Sequence, residues 1–183
     1  MATIACIVGS PASPSRTAFV ADYVSRCLER AGNVVESVVV RDLPAEDLVR
    51  ARVDAPAIAA AVSAIERAEG IVVATPIYKA SFAGMLKLFL DLLPQSALRD
   101  KSVLPIATGG ASAHVLAIDY GLRPVLMSLG AAHVEPAYVV LEQEVRAVRA
   151  GDVAGYELTP ETEAKLGEIA QRFLRYLALS PRA

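Results

Sequence analysis

I-A-C-I-V-G-S-P-A-S-P-S-R-T, residues 4–17, is the segment that decides the fold of this chain. Its first five residues are apolar without interruption, which is typical of a parallel strand covered on both faces. Gly9 ends the strand at a point where the chain can turn sharply, and a loop of small hydroxyl residues leads into a predicted helix. A buried strand joined in this way to a helix indicates an α/β domain with an anion-binding turn near its start.

The loop carries the groups that hold a phosphate. Arg16 supplies a fixed positive fork, and the helix predicted to begin near Thr17 supplies free backbone N–H groups and a favourable dipole. Hydroxyls come from Ser10, Ser13, Ser15 and Thr17. A phosphomonoester dianion suits this set, whereas the simpler interpretation is a polar turn without a ligand, since turns rich in Ser and Pro are common.

Other phosphate-binding classes need residues that this loop lacks. A Walker loop requires a second glycine followed by lysine, and the first lysine of the chain is Lys79. The dinucleotide fingerprint requires three glycines, and this loop has only Gly9. Cys6 lies inside the predicted strand, too far from Arg16 for the thiolate loop of a cysteine phosphatase.

Composition predicts one domain, residues 1–183, with a small-molecule partner. The net charge is −2 and the Lys and Arg residues are dispersed, which argues against a nucleic-acid or basic membrane-binding face.

There is no signal-peptide pattern and no apolar run approaching roughly 20 residues, so the expected location is the cytoplasm. Cys6 and Cys27 show no ligand spacing, which predicts buried, reduced thiols and no metal site.

Apolar runs alternate with helical patterns along the chain. Strands are predicted at residues 3–9, 34–40, 70–75, 102–108 and 134–140, and helices at 17–31, 56–68, 84–93, 113–129 and 160–179. With right-handed crossovers this is a flavodoxin-like, doubly wound α/β fold, a five-stranded parallel sheet of order 2-1-3-4-5 with helices on both faces. The loops after Gly9, Thr75 and Thr108 should meet at the carboxyl edge, where such sheets bind ligands.

The second and third of these loops are suited to a flat ring. Residues 75–79 read T-P-I-Y-K and give a rigid, partly aromatic wall, while residues 107–111 read A-T-G-G-A and leave backbone amides unshielded. A phosphate on the first loop and a ring between the other two describe FMN. Taken singly, the two segments also suit a proline-capped strand-to-helix turn and a flexible glycine turn.

Seven segments resemble one known family, the NAD(P)H-dependent FMN reductases that accompany alkanesulfonate monooxygenases, within the flavodoxin-like NADPH-dependent FMN reductase superfamily. They are residues 9–17, 44–48, 51–57, 74–79, 84–94, 104–110 and 113–126, and the resemblance is weakest over residues 141–159. The run from A-T-G-G to D-Y-G-L-R-P-V-L, residues 107–126, is the most specific part.

This resemblance implies an enzyme in which NADPH or NADH passes hydride to the N5 atom of FMN, with reduced FMN going to a separate monooxygenase. It assigns the FMN phosphate to Ser10, Ser15, Arg16 and Thr17, the isoalloxazine to Pro76, Ile77, Tyr78 and Lys79, and the pyrimidine edge to Thr108, Gly109, Gly110 and Ala111. No general base is expected, because the cofactors carry the chemistry. Two alternatives stay open: a flavoenzyme with tightly bound FMN that reduces quinones, azo dyes or metal oxyanions, and a flavodoxin-type electron carrier, which the near-neutral charge disfavours.

Two histidines and two apolar segments bear on the surroundings of the site and on the assembly of copies of the chain. His114 is interpreted as a histidine at a helix start, hydrogen-bonded to backbone or solvent, and His133 as structural. The segments 85–93 and 115–127 are apolar nearly all round, which predicts a homo-oligomer, and the resemblance implies a tetramer. The alternative is that the C-terminal helix or nearby loops cover these segments.

Tyr120 is predicted to lie in a π-bulge. Gly121 follows it and Pro124 lies four residues later, so the helical hydrogen bonds are already disturbed there. In the reductases that this chain resembles, a tyrosine at this position forms such a bulge at the subunit interface, close to the flavin. The hypothesis is that Tyr120 keeps FMN exchangeable and contributes to assembly; the alternative is an ordinary interface or core tyrosine in a proline-bent helix.

Overall fold

The computed structural model describes residues 1–150 and 153–179. The strands are β1 Thr3–Val8, β2 Val34–Val39, β3 Gly70–Tyr78, β4 Ser81–Phe82, β5 Ser102–Gly109, β6 His133–Val134, β7 Tyr138–Leu141, β8 Val145–Ala150 and β9 Val153–Leu158. The α-helices are α1 Arg16–Arg30, α2 Ala45–Val49, α3 Pro56–Arg67, α4 Gly84–Leu90, α5 Val115–Ala117, α6 Arg123–Ser128 and α7 Pro160–Leu179. A π-turn, Ile118–Leu122, joins α5 to α6.

The parallel sheet has the predicted order. β2, β1, β3 and β5 lie side by side, and both β6 and β7 pair with β5 on its outer edge. The fifth strand, predicted as one piece over residues 134–140, is therefore two pieces. Pro136 falls between them, and because proline has no backbone N–H it cannot continue the ladder.

Both faces of the sheet are covered, as the uninterrupted apolar strand predicts. Along β1, Ala5 and Ile7 pack with α2, α3, α4 and the interrupted helix, while the alternate residues pack with α1 and α7. Cys6 belongs to the second layer, and burial raises the pKa of its thiol to about 11. Both cysteines are free, but Cys27 is only half-buried.

Two hairpins were not predicted. β3 continues beyond Thr75 to Tyr78 and turns back antiparallel into β4, so the second loop is a hairpin turn rather than a strand-to-helix turn. Lys79 and Ala80 form its corner with φ of 48° and 59°, the left-handed values that a tight hairpin requires. Further along, β8 and β9 form a separate two-stranded sheet.

The predicted helix over residues 113–129 is interrupted as expected at Tyr120. A short 3₁₀ segment, Ser112–His114, leads into α5, and the π-turn follows. The backbone N–H of Arg123 donates to the carbonyl of Ile118, five residues back. Pro124 has no N–H to restore the regular pattern, so the extra residue persists as a π-bulge.

Glu135 contacts both helix layers at the outer edge of the sheet, one through its carboxylate and the other through its backbone carbonyl. Glu135 lies in the strand break, is 0% exposed, and accepts a 2.7 Å hydrogen bond from Nε of Arg172 on α7. From the opposite layer, Arg123 donates to the carbonyls of Val134 (2.8 Å) and Glu135 (3.0 Å). His133 stacks on Tyr176 with ring centroids 4.4 Å apart, which agrees with its predicted structural role.

The C-terminal helix does not cover the apolar segments that suggested assembly. α7 packs along α1, in the other layer. Leu116, Tyr120 and Met127 are 54%, 80% and 52% exposed. The alternative of burial within the chain is therefore wrong for these residues. Within 1–150 and 153–179, no helix is long and apolar enough to cross a membrane.

Candidate functional site

The first loop is organised by the N-terminus of α1. Ser15 is the N-cap, because its Oγ accepts a 3.1 Å hydrogen bond from the N–H of Ala18, and the helix thus begins at Arg16, one residue before the prediction. The same hydroxyl donates to Oγ of Ser10 at 2.8 Å. Both serines are buried, so two hydroxyls and the first free N–H groups of a 15-residue helix face one small volume.

The three loops meet, as the sheet topology predicts. The hydroxyls of Thr17 and Thr108 lie 2.6 Å apart and join the first loop to the third. A Cβ on Gly109 would lie 3.4 Å from Cγ1 of Ile77, so the third loop also packs against the second. Gly9 does not have the left-handed backbone that a sharp turn favours; instead, its missing side chain lets Leu86 approach, since a Cβ there would lie 2.6 Å from Cβ of Leu86.

Arg16 is held by the β8–β9 hairpin. Its Nε donates to the carbonyl of Val145 at 3.2 Å, and its guanidinium lies 5.8 Å from the ring centroid of Tyr156. Neither terminal nitrogen, Nη1 or Nη2, has a protein partner among the residues that the structure describes. A second arginine, Arg41, donates to the carbonyl of Ala12 and so fixes the outer part of the first loop.

The second loop exposes its aromatic side chain. Pro76 is buried and Ile77 half-buried within β3, whereas Tyr78 and Lys79 are exposed at the hairpin corner. The hydroxyl of Thr75 accepts a hydrogen bond from the N–H of Ala83 at 3.0 Å, which ties the hairpin to the start of α4. The result is a rigid wall with a tyrosine and a lysine at its open end.

The third loop opens at Gly110. Gly109 is buried, and a Cβ there would lie 2.8 Å from Nδ1 of His114, whereas a Cβ on Gly110 would meet nothing within 4 Å. Ala111 is exposed beside it. Nδ1 of His114 is buried and has no hydrogen-bond partner in the described part of the chain, so the expected backbone bond is not formed by this atom.

A cavity of about 520 Å³ lies beside the meeting point of the loops. The hairpin corner lines one side, and the 3₁₀ segment and π-turn line the other. Its polar and aromatic lining residues include Ser81, His114 and Tyr120. None of its lining residues belongs to the first loop or to residues 76–79 and 108–111, so the cavity adjoins the predicted site and does not contain it. The three loops themselves suit a ligand with a phosphate at one end and a planar ring at the other.

Three residues of this region were not predicted as site residues. Arg41 gave no signal, because isolated surface arginines are common. Tyr156 lies in the second of two six-residue segments, 145–150 and 153–158, and the Gly-Asp pair between them in the sequence is a recognisable hairpin signal. The sequence places His114 after the third loop, but it gives no sign that Nδ1 lacks a hydrogen-bond partner among the described residues.

The sequence profile of the family described as NADPH-dependent FMN reductase matches residues 2–146. A Pseudomonas putida protein named FMN reductase (NADPH) is 40% identical over 179 residues, 98% of this chain and 90% of that protein. The crystal structure of apo EMOB, an NADH:FMN oxidoreductase, superposes with a TM-score of 0.84 at 36% identity, covering 100% of this chain and 92% of that one.

A flavodoxin from Streptococcus pneumonia shares the fold, with a TM-score of 0.63 at 17% identity over 96% of this chain and 99% of that one. The family profile spans all three loops of the candidate site, and the hairpin strand β9 lies beyond its matched residues. The chain therefore belongs to the NADPH-dependent FMN reductase family and is a flavodoxin-like oxidoreductase of FMN and NAD(P)H.

Proposed function

We propose that the protein transfers hydride from NADPH or NADH to FMN and delivers reduced FMN to a separate, alkanesulfonate-type monooxygenase. The observation that carries this proposal is the convergence of three loops at one edge of the sheet, fixed by the contact of Thr17 with Thr108 and of Gly109 with Ile77. The proposal includes both NADPH and NADH as hydride donors, because the Pseudomonas putida relative is named for NADPH and EMOB for NADH.

The first loop fits the FMN phosphate. Ser10 and Ser15 present buried hydroxyls, the N-terminus of α1 presents free N–H groups, and Arg16 has two terminal nitrogens without a protein partner in the described chain. Thr17 adds a hydroxyl that is shared with Thr108. Charge-assisted hydrogen bonds from this set would fix a dianion firmly.

The other two loops fit the ring system. Pro76, Ile77, Tyr78 and Lys79 form one wall, and Thr108, Gly109, Gly110 and Ala111 form the edge that would face the pyrimidine. The bound flavin supplies the two-electron chemistry by accepting hydride from the nicotinamide. The chain would hold the two rings close together, and the amides of Gly109 and Gly110 would stabilise negative charge at the pyrimidine edge.

Assembly and delivery form the finer part of the proposal. The exposed apolar side chains of Leu116, Tyr120 and Met127 lie on one interrupted helix and support a homo-oligomer, which we propose is a tetramer. The groove beside Tyr120 is open, which supports FMN that exchanges as a substrate. We place the reaction in the cytoplasm, where a separate monooxygenase can collect reduced FMN.

Oxidation of NAD(P)H measured with increasing FMN tests the proposed function. We expect purified protein to be colourless, and the rate to rise saturably in the micromolar range of added FMN. A yellow protein whose NAD(P)H oxidation needs a quinone and ignores added FMN would support the tightly bound flavoenzyme instead. The absence of FMN-dependent oxidation with either nicotinamide would contradict the reductase proposal.

Replacement of Arg16 with alanine should weaken FMN far more than riboflavin, which lacks the phosphate. Charge-assisted hydrogen bonds contribute roughly 1.5 to 3 kcal/mol, so the dissociation constant of FMN should rise roughly 10- to 150-fold. Flavin fluorescence titration measures both ligands. Arg26→Ala is the matched control, because Arg26 lies on the same helix in an exposed pair with Asp22. Equal losses for the two flavins would remove Arg16 from the phosphate site.

A further inference from the structure

The β8–β9 hairpin is anchored in the core at its base, next to the first loop. Val145 and Leu158 pair across the two strands and are 0% and 5% exposed. The N–H of Thr159 donates to the carbonyl of Glu144 at 3.2 Å and closes this base. The position of the hairpin relative to α1 is therefore set by apolar burial and not by the flavin loops.

A backbone carbonyl and an aromatic ring near the closed end of the β8–β9 hairpin contact Arg16 from different sides. The carbonyl of Val145 accepts from Nε, and the ring of Tyr156 lies 5.8 Å from the guanidinium carbon, within the range of a cation–π interaction. Tyr156 is itself packed against Phe19 of α1, with centroids 5.8 Å apart. The Nε edge and one face of the guanidinium are thus held, while Nη1 and Nη2 have no partner within residues 1–150 and 153–179.

We propose that Tyr156 is a positioning residue that determines the preference for FMN over riboflavin. By fixing the plane of the Arg16 guanidinium before ligand arrives, the hairpin reduces the side-chain entropy that arginine would otherwise lose on binding a phosphate. In this proposal Tyr156 acts through Arg16 and not by contact with the flavin. This inference rests on the assignment of Arg16 to the phosphate in the proposed function.

The test compares dissociation constants of FMN and riboflavin, measured by fluorescence titration of the full chain. In Tyr156→Leu, which removes the aromatic face, FMN should weaken about 3- to 30-fold, while riboflavin should change less than about twofold. Tyr156→Phe keeps the ring face and should retain the FMN preference of the parent. Tyr23→Leu is the matched control, since Tyr23 lies roughly two turns beyond Arg16 on α1 and its hydroxyl donates to the carbonyl of Glu163 of α7.

Arg16→Lys covers the case in which Tyr156→Leu fails to fold. A lysine cannot donate to Val145 and also present a planar fork, so the FMN preference should fall even though the positive charge remains. A parent protein that binds both flavins equally would contradict the phosphate site of the proposed function. Suppose that the parent prefers FMN, and that Tyr156→Leu either keeps the same preference or weakens the binding of both flavins equally. The role of Tyr156 would then be overturned, while the phosphate site would stand.

Discussion

Replacement of Arg172 with methionine should lower the free energy of unfolding by about 2 to 4 kcal/mol, because it removes the arginine that pairs with the fully buried carboxylate of Glu135. The lower end of this range allows for the 34% exposure of the Arg172 side chain, which lets water screen the pair. For a domain of this size, the thermal midpoint should fall by roughly 4 to 16 °C. Denaturant unfolding followed by circular dichroism measures the change.

A second variant separates loss of the partner from loss of packing. In Arg172→Met combined with Glu135→Leu, the carboxylate is gone as well, and most of the stability should return, since apolar groups often replace a buried pair with little cost. Arg67→Met, which breaks an exposed pair with Glu36, should change the stability by less than about 1 kcal/mol. If the double variant were as unstable as the single one, the buried charge would not be the cause.

Deletion of Tyr120 should change flavin exchange and assembly together. Without the extra residue, the N–H of Arg123 would donate to a carbonyl four residues back, and the π-turn should become regular helix apart from the one bond that Pro124 cannot make. The groove loses the aromatic side chain that is 80% exposed, and we expect a protein that retains FMN through purification, has an altered oligomeric mass and no longer turns over free FMN. Absorbance at the flavin band, sedimentation and NAD(P)H oxidation provide the three readouts.

Tyr120→Phe is the matched control, because it keeps the number of residues and the ring while it removes the hydroxyl. It should retain the π-turn and exchangeable FMN. If the deletion variant had the same mass, flavin content and turnover as the parent, Tyr120 would be a packing residue. If Tyr120→Phe behaved like the deletion, the hydroxyl and not the inserted residue would matter.

Prediction from sequence was strongest where a local pattern has one structural solution. Uninterrupted apolar runs such as residues 4–8, alternating with helical patterns, favour a parallel sheet covered by helices on both faces, and this alternation with right-handed crossovers is typical of the order found. The meeting of Thr17 and Thr108 followed from the same topology. Gly121 and Pro124 indicated a disturbed helix, and the π-turn lies there.

Features that depend on tertiary contacts were missed. Lys79 and Ala80 are not residue types that favour a left-handed backbone, so the sequence carries no turn signal for the tight hairpin after Tyr78. The break at Pro136 was overlooked because the flanking apolar residues suggested a continuous strand. The positions of Arg16 and Arg123 depend on carbonyls far away along the chain, at Val145 and Glu135, which no local pattern specifies.

The broken outer strand also limits how the sheet can grow. An exposed strand edge is a template on which another chain can add by backbone pairing, and proteins commonly block such edges. Here β6 and β7 offer runs of only two and four residues, separated by a proline. The carbonyls of Val134 and Glu135 are already bonded to Arg123. Backbone pairing with another chain is thus obstructed at this edge of the sheet, whereas β2 forms the opposite edge as one unbroken strand of six residues.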